Sequence, residues 1–327
     1  MAGDWEMARG SDLCDAMVPF ATLLEKRMTP IFTVAKVFDR HNPFQRRNDP
    51  TGARENIADH YDLGNDLFEA FLDETMTYSS ALFDDTRPWA DQPLSEAQRR
   101  KVDAVLDAAG VGEGTRVLEI GTGWGELTLR AAARGAHVTS LTLSTEQLAL
   151  AQQRVDKARL ADQVDIRLQD YRLVDGTYDA VVSVEMIEAV GAEFLPSYFQ
   201  TIHDRLAPGG RAAIQAILTS DTQYELTKGG VSWISRYIFP GGLVPSLGAI
   251  STALPHGLQL THDRRFGPHY AETLRRWRRT FDDAWPALSE SYGDVFRRMW
   301  DFYLAYAETG FRAGILDVAH LTFRRQL

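Results

Sequence analysis

From Arg116 to Ile217, short apolar runs alternate with helical stretches, and this alternation constrains the fold more than any other feature of the chain. The runs are Arg116–Ile120, Ala136–Leu143, Val164–Leu168, Tyr178–Val184 and Arg211–Ile217. Helical patterning covers Gly125–Arg134, then Ser144 to about Arg159 with Ser144 and Gln147 as the cap, then Glu193–Leu206 before the turn Pro208-Gly209-Gly210. Ahead of the first run, Ser95 and Gln98 read as a capping box for a helix that runs to Gly110. Such βαβα order predicts an α/β fold with a doubly wound sheet and its ligand at the carboxyl ends of the strands. Tyr178–Val184 is continuously apolar, which predicts a central strand.

Outside this block the pattern changes. Residues 1–57 read as an accessory arm, with an amphipathic helix over Met17–Met28 that Pro30 ends and a polar linker over Arg40–Arg54. Asp59–Asp85 carries Asp59, Asp62, Asp66, Glu69, Asp73, Glu74, Asp84 and Asp85 and no Lys or Arg, interleaved with aromatics, as short helices with one buried face would be. After Ile217 the alternation stops. Ser220–Ser251 is rich in Gly, Pro and aromatics and reads as a lid. Leu258–Phe266 and Val318–Phe323 are further strands, and Pro268–Trp285 and Ser289–Thr309 are two amphipathic helices between them. The expected organisation is an arm over 1–57 and a catalytic domain over 58–327, with a lid around 220–251 and C-terminal helices over 268–309.

Charge narrows the partners. Across 327 residues, 45 Asp and Glu stand against 35 Lys and Arg, a net charge of -10. That argues against nucleic acid, whose phosphates need a basic surface. Arg264–Arg279 runs the other way, with six arginines against Glu272, a local +5 suited either to a solvated helix face or to anionic lipid head groups. Cys14 is the only cysteine, and no Cys/His cluster has zinc spacing, so no metal is expected. Acids at Asp4, Glu6, Asp12, Asp15 and Glu25 do not fit a signal peptide, and no apolar run reaches the roughly 18 residues of a membrane span. The expectation is a cytoplasmic protein, with peripheral contact at the inner face of a membrane, through the arginine run or the amphipathic arm, and with homo-oligomer formation left open.

The turn after the first run is Glu119-Ile120-Gly121-Thr122-Gly123-Trp124-Gly125. Glycines there allow a tight turn and a close approach of ligand to backbone. The spacing is G-x-G-x-G with an acid before it, which suits a cationic amine or a hydroxyl better than a pyrophosphate. A strand-to-helix turn of purely structural purpose uses similar residues.

Around that loop the chain carries His60-Tyr61-Asp62-Leu63-Gly64-Asn65-Asp66, Met76-Thr77-Tyr78-Ser79, Leu141-Thr142-Leu143-Ser144 and Glu185-Met186-Ile187-Glu188-Ala189-Val190-Gly191. It continues with Tyr237-Ile238-Phe239-Pro240-Gly241-Gly242, Pro245-Ser246 and His269-Tyr270-Ala271-Glu272-Thr273-Leu274. In this order the segments resemble the cyclopropane-fatty-acyl-phospholipid synthase family, which includes the mycolic acid methyltransferases, from about Ile57 to the C-terminus. The resemblance implies a Rossmann-like class I methyltransferase sheet with S-adenosylmethionine as cofactor. It implies Tyr78 and Ser79 against the cofactor, Glu119, Gly121 and Gly123 along its methionine part, Thr142 and Gln147 beside the ribose, and Asp170 and Tyr171 beside the adenine. Tyr78 and Tyr171 also read as ordinary core aromatics.

The implied reaction is attack by an alkene on the sulfonium methyl, after which a base removes a proton to close a cyclopropane or leave a methylene. In the family that base is a bound bicarbonate held by a Cys, a Glu, a His, a backbone group and a Tyr. Glu188 and Tyr270 match the Glu and the Tyr, Ser80 stands at the Cys and Gln215 at the His, two residues before Ile217. Ser and Gln both retain donors for an anion, and Ala189 replaces a frequent His. The candidate catalytic set is Glu188, Tyr270, Gln215, Ser80 and His60. Glu188 also reads as a helix-capping carboxylate and Tyr270 as core, while Trp233, Tyr237 and Phe239 suit either an acyl channel or lid contacts. The expected function is methyl transfer to the double bond of an unsaturated fatty acyl chain, within a phospholipid, giving a cyclopropane or a methyl- or methylene-branched chain. Two alternatives stay open: methylation of a small molecule at carbon or nitrogen, and a non-catalytic cofactor-binding subunit.

Overall fold

A computed structural model describes residues 7, 11–23, 48–49, 52–53, 56, 64–230 and 232–327. His60-Tyr61-Asp62-Leu63, the end of the arm helix beyond residue 23 and most of the linker lie outside the described residues.

Seven strands form one sheet in the order β3-β2-β1-β4-β5-β7-β6. They are β1 (Arg116–Ile120), β2 (His137–Thr142), β3 (Val164–Leu168), β4 (Tyr178–Val184), β5 (Leu206–Thr219), β6 (Leu258–Arg265) and β7 (Leu316–Arg325). The first five are parallel, and β7 runs antiparallel between β5 and β6. β4 is the middle strand, as its apolar run predicts. Its side chains alternate between two cores, as a strand covered on both faces requires. Ala180 and Val182 join Val102, Leu106, Val117 and Leu127, whereas Val181 joins Leu118, Phe199, Ile202 and Ile214. The helices Leu94–Ala109 and Glu126–Ala133 thus cover one face and Leu195–Arg205 the other. Between β1 and β4 the chain switches direction of winding, and the loops leaving those two strands part to leave a crevice.

A third core, rich in aromatics, closes this edge. It gathers Phe68 and Phe71 from the helix Asn65–Phe71, Trp124 from the glycine loop, and Tyr270, Trp277 and Trp300 from the C-terminal helix. Rings meet edge-on or tilted, as Phe68 does with Trp124 at 4.8 Å between centroids, the arrangement their quadrupoles favour.

Three local expectations change. Leu94–Ala109 is capped by Pro93 without a side-chain bond, and Gln98 turns instead to the carbonyls of Thr77 and Ser79. The two expected C-terminal helices both form within Gly267–Arg312, but Pro286 lies inside the first of them. The break falls at Gly293, whose φ of 73° and ψ of 166° suit only glycine. The arginine run is largely committed: Arg265 to Asp263, Arg275 and Arg276 to Glu272, and Arg278 to Asp12. The proposed lid contains the short helices Asp221–Thr227, Trp233–Tyr237 and Leu247–Ala253. The arm helix, 13–23, is tied to the end of Gly267–Arg312 by Arg312 to Asp15 at 2.7 Å and by buried Cys14 against Thr309. Among the described residues no helix is long and apolar enough to cross a membrane.

Candidate active site

The carboxyl ends of β1, β2, β3 and β4 open into one cavity. Tyr78, Ser79, Glu119, Gly121, Gly123, Thr142, Gln147 and Tyr171 line it together. Gly121 takes φ 100°, a backbone conformation that side-chain-bearing residues rarely adopt, so the turn favours glycine. Glu119 sits buried in the cavity wall. Its Oε2 accepts from the hydroxyls of Ser140, at 2.6 Å, and Thr128, and burial pushes its carboxyl up to about 7. At β2, Thr142 donates to Gln147 Oε1 at 2.9 Å, while Ser144 caps the next helix through the Gln147 N–H, as expected. Asp170 is not a lining residue. It is buried, and Arg172 takes both its oxygens at 2.9 and 2.6 Å, leaving the neighbouring Gln169 and Tyr171 to face the cavity. Glycine backbone, a hydroxyl–amide pair and an aromatic face fit an adenosyl amino acid.

At the β4 end lies a carboxylate that residue pattern does not distinguish from Glu188, three positions on. Glu185 has a left-handed backbone, φ 50°, uncommon outside glycine, and its side chain lines the cavity. Oε1 accepts from the Ser80 N–H at 2.9 Å and the Gln215 amide at 2.7 Å, and Oε2 from the Tyr270 hydroxyl at 2.6 Å. Burial raises its pKa, against the opposing pull of the Lys101 charge and these donors.

The amide of Gln215 is oriented in turn. Its Nε2 also donates to the Ser80 carbonyl at 3.2 Å, so Oε1 must accept, and His320 Nε2 lies 2.8 Å from it. His320 therefore carries its proton on Nε2. Burial, aided by the Lys101 charge, holds its pKa down to about 3, so it is neutral. Glu188 is placed differently from Glu185. Its Oε1 accepts the Ile217 N–H at 2.5 Å, its Oε2 is buried without a partner, and burial with the Glu185 charge pushes it up to about 8.

The structure thus gathers Ser80, Gln215 and Tyr270, with Glu188 beside them, around a group the sequence reading did not single out. His60 lies outside the described residues. A separate bicarbonate does not fit here. The donors it needs, Ser80 N–H, Gln215 and Tyr270, all point at Glu185, the Ile217 N–H goes to Glu188, and the Ser80 hydroxyl donates to the Ala81 carbonyl. A second anion would also meet the Glu185 charge. Among the described residues no cluster of metal-ligating side chains occurs.

The sequence matches the Mycolic acid cyclopropane synthetase family over residues 48–321. The chain belongs to this family. It is 49% identical to "Tuberculostearic acid methyltransferase UfaA1" of Mycobacterium tuberculosis, over 100% of this chain and 77% of that protein. It is 35% identical to the Escherichia coli K12 "Cyclopropane-fatty-acyl-phospholipid synthase", over 82% of this chain and 67% of that one. Among solved structures, the cyclopropane synthase MmaA2 from Mycobacterium tuberculosis superposes with a TM-score of 0.76 at 31% identity, covering 83% of this chain and 98% of that one. Membership bears out the Rossmann-like class I methyltransferase fold. Within the family's implied anion-binding set, this chain has Ser80 and Gln215, and it adds the carboxylate of Glu185.

Proposed function

We propose that this chain transfers a methyl group from S-adenosylmethionine to the double bond of an unsaturated fatty acyl chain, with Glu185 as the proton acceptor. The acyl acceptor is supported by the family, whose name gives mycolic acid, and by a relative whose name gives a fatty-acyl phospholipid. When bound, the cofactor would supply an electrophilic methyl: the alkene π pair would form the new C–C bond as the methyl–sulfur pair stays on the departing thioether, and the other alkene carbon would be cationic until a proton departs. Tyr78, Ser79, Gly121, Gly123, Thr142, Gln147 and Tyr171 hold the cofactor, with Glu119 and Asp170 fixing the loops that present them.

The observation that carries the reading is the aim of Ser80 N–H, Gln215 and Tyr270 at one cavity-lining carboxylate. Those donors stabilise Glu185 as an anion, and its position on the cavity wall beside Met186 supports its role as the base. A proton taken from the new methyl closes a cyclopropane; one taken from an adjacent carbon leaves a methylene. Tyr270 stays protonated, its pKa far above the ordinary range through burial and the Glu185 charge. Trp233 meets Phe302 edge-on and Phe239 meets Tyr303 edge-on, but none of the four lines the described cavity, so these contacts fit lid packing as well as an acyl channel. Peripheral contact with the inner face of a membrane belongs to this proposal, since a phospholipid acceptor requires it. The arginine run supports it less than its sequence suggests.

The test is incubation with the cofactor and unsaturated phospholipid. Cyclopropane and methylene products have equal mass, so NMR must follow mass spectrometry. A modified acyl chain from the wild type, lost in Glu185→Gln with cofactor binding intact, is expected. An untouched lipid alongside a methylated amine would favour the small-molecule alternative.

A further inference from the structure

Lys101 is a fully buried cation at the cofactor cavity. It lies on the helix Leu94–Ala109 one turn after Gln98, so both side chains share a face. Both reach Ser79: Gln98 Nε2 donates to its carbonyl at 2.8 Å, and Lys101 Nζ donates to its hydroxyl oxygen at 2.5 Å. Among the described residues no carboxylate comes within 4.0 Å of Nζ. A buried ammonium without a paired anion is costly, and the site normally supplies one.

The charges of the cavity say which. Its wall carries Glu119, Glu126 and Glu185, and Lys101 is the one cation among the described lining residues. S-Adenosylmethionine brings a sulfonium, an ammonium and a single carboxylate. Ser79, with its oxygen held by Lys101, is left with its hydroxyl proton to donate.

We propose that Lys101, together with the Ser79 hydroxyl, forms the subsite for the carboxylate of the cofactor's methionine part. Burial lowers the lysine's pKa to about 8, and the charges of Glu185, Asp73 and Glu126 keep it protonated at neutral pH. A charge-assisted bond of this kind discriminates by about 10- to 100-fold.

The inference rests on S-adenosylmethionine as the cofactor, and the test separates the two. Calorimetry compares S-adenosylmethionine with its decarboxylated counterpart on the full-length wild type, Lys101→Met and Lys101→Gln. The wild type should prefer the carboxylate-bearing ligand about 10- to 100-fold. Both variants should lose that preference while binding the decarboxylated ligand within about threefold of wild type, which also shows that they fold. Equal binding of both ligands by the wild type overturns the inference without a variant. So does a Lys101→Gln protein that keeps the full preference, or a loss in either variant that is equal for both ligands. Binding of neither ligand by the wild type overturns the cofactor reading itself.

Discussion

Gln215 on β5 and His320 on β7 are partners across one antiparallel register position, and their side chains meet at 2.8 Å. That contact fixes which end of the Gln215 amide faces Glu185. Replacing His320 with Leu frees the amide to turn its oxygen toward the carboxylate. The kcat should fall about tenfold, the worth of one such bond, while cofactor Kd stays unchanged. His320→Gln, which retains a donor, should recover part of the loss. Steady-state kinetics with calorimetry checks this, and a purely structural role would instead lower the melting temperature and both constants together. His320 is held neutral, so the wild-type rate should show no inflection belonging to it between pH 5 and 8.

Glu188 predicts a pH-dependent stability. Its folded pKa, about 8, lies above the value of about 4.5 expected when unfolded. The folded state therefore holds a proton that the unfolded state releases, and stability falls as pH rises through that window. Glu188→Gln keeps an oxygen for the Ile217 N–H and removes the titration. Its melting temperature should match wild type near pH 5 and exceed it increasingly toward pH 8, as differential scanning calorimetry would show. A constant offset across that range would contradict the placement of Glu188.

Arg278 predicts a large structural loss. It is nearly buried between Asp12, Asp301 and Glu308, and Glu308 is itself only 2% exposed. Arg278→Met leaves Glu308 with Arg312 alone, at 3.3 Å, and takes the cation from between Asp12 and Asp301, and should cost up to about 3–5 kcal/mol, read by denaturant titration. Arg167→Met, whose partners Asp165 and Asp175 are both exposed, should cost under about 1 kcal/mol.

Much of this architecture was legible in sequence because it is local. β3 and β4 begin and end where their apolar runs do, and Ser144 caps its helix through Gln147. Where two local signals competed, pattern reading chose badly. The break expected between Trp285 and Ser289 falls instead at Gly293, whose backbone leaves the helix. Ser95 and Gln98 had capping-box spacing, but Gln98 is drawn to the carbonyls of the cofactor segment. Most of the residues implied for the cofactor share one cavity, since those beyond Ser79 lie at or just after the ends of parallel strands. The roles of Glu185 and His320 were hidden because they depend on side-chain direction and on register between strands 105 residues apart.

The central claim is that Glu185 stands in the place of a bound bicarbonate. It is tested most directly by measuring turnover in carbonate-free buffer and again with bicarbonate added. A rate that is full without bicarbonate and unchanged by its addition is the predicted result. A rate that is negligible without bicarbonate and rises with its concentration would contradict the account.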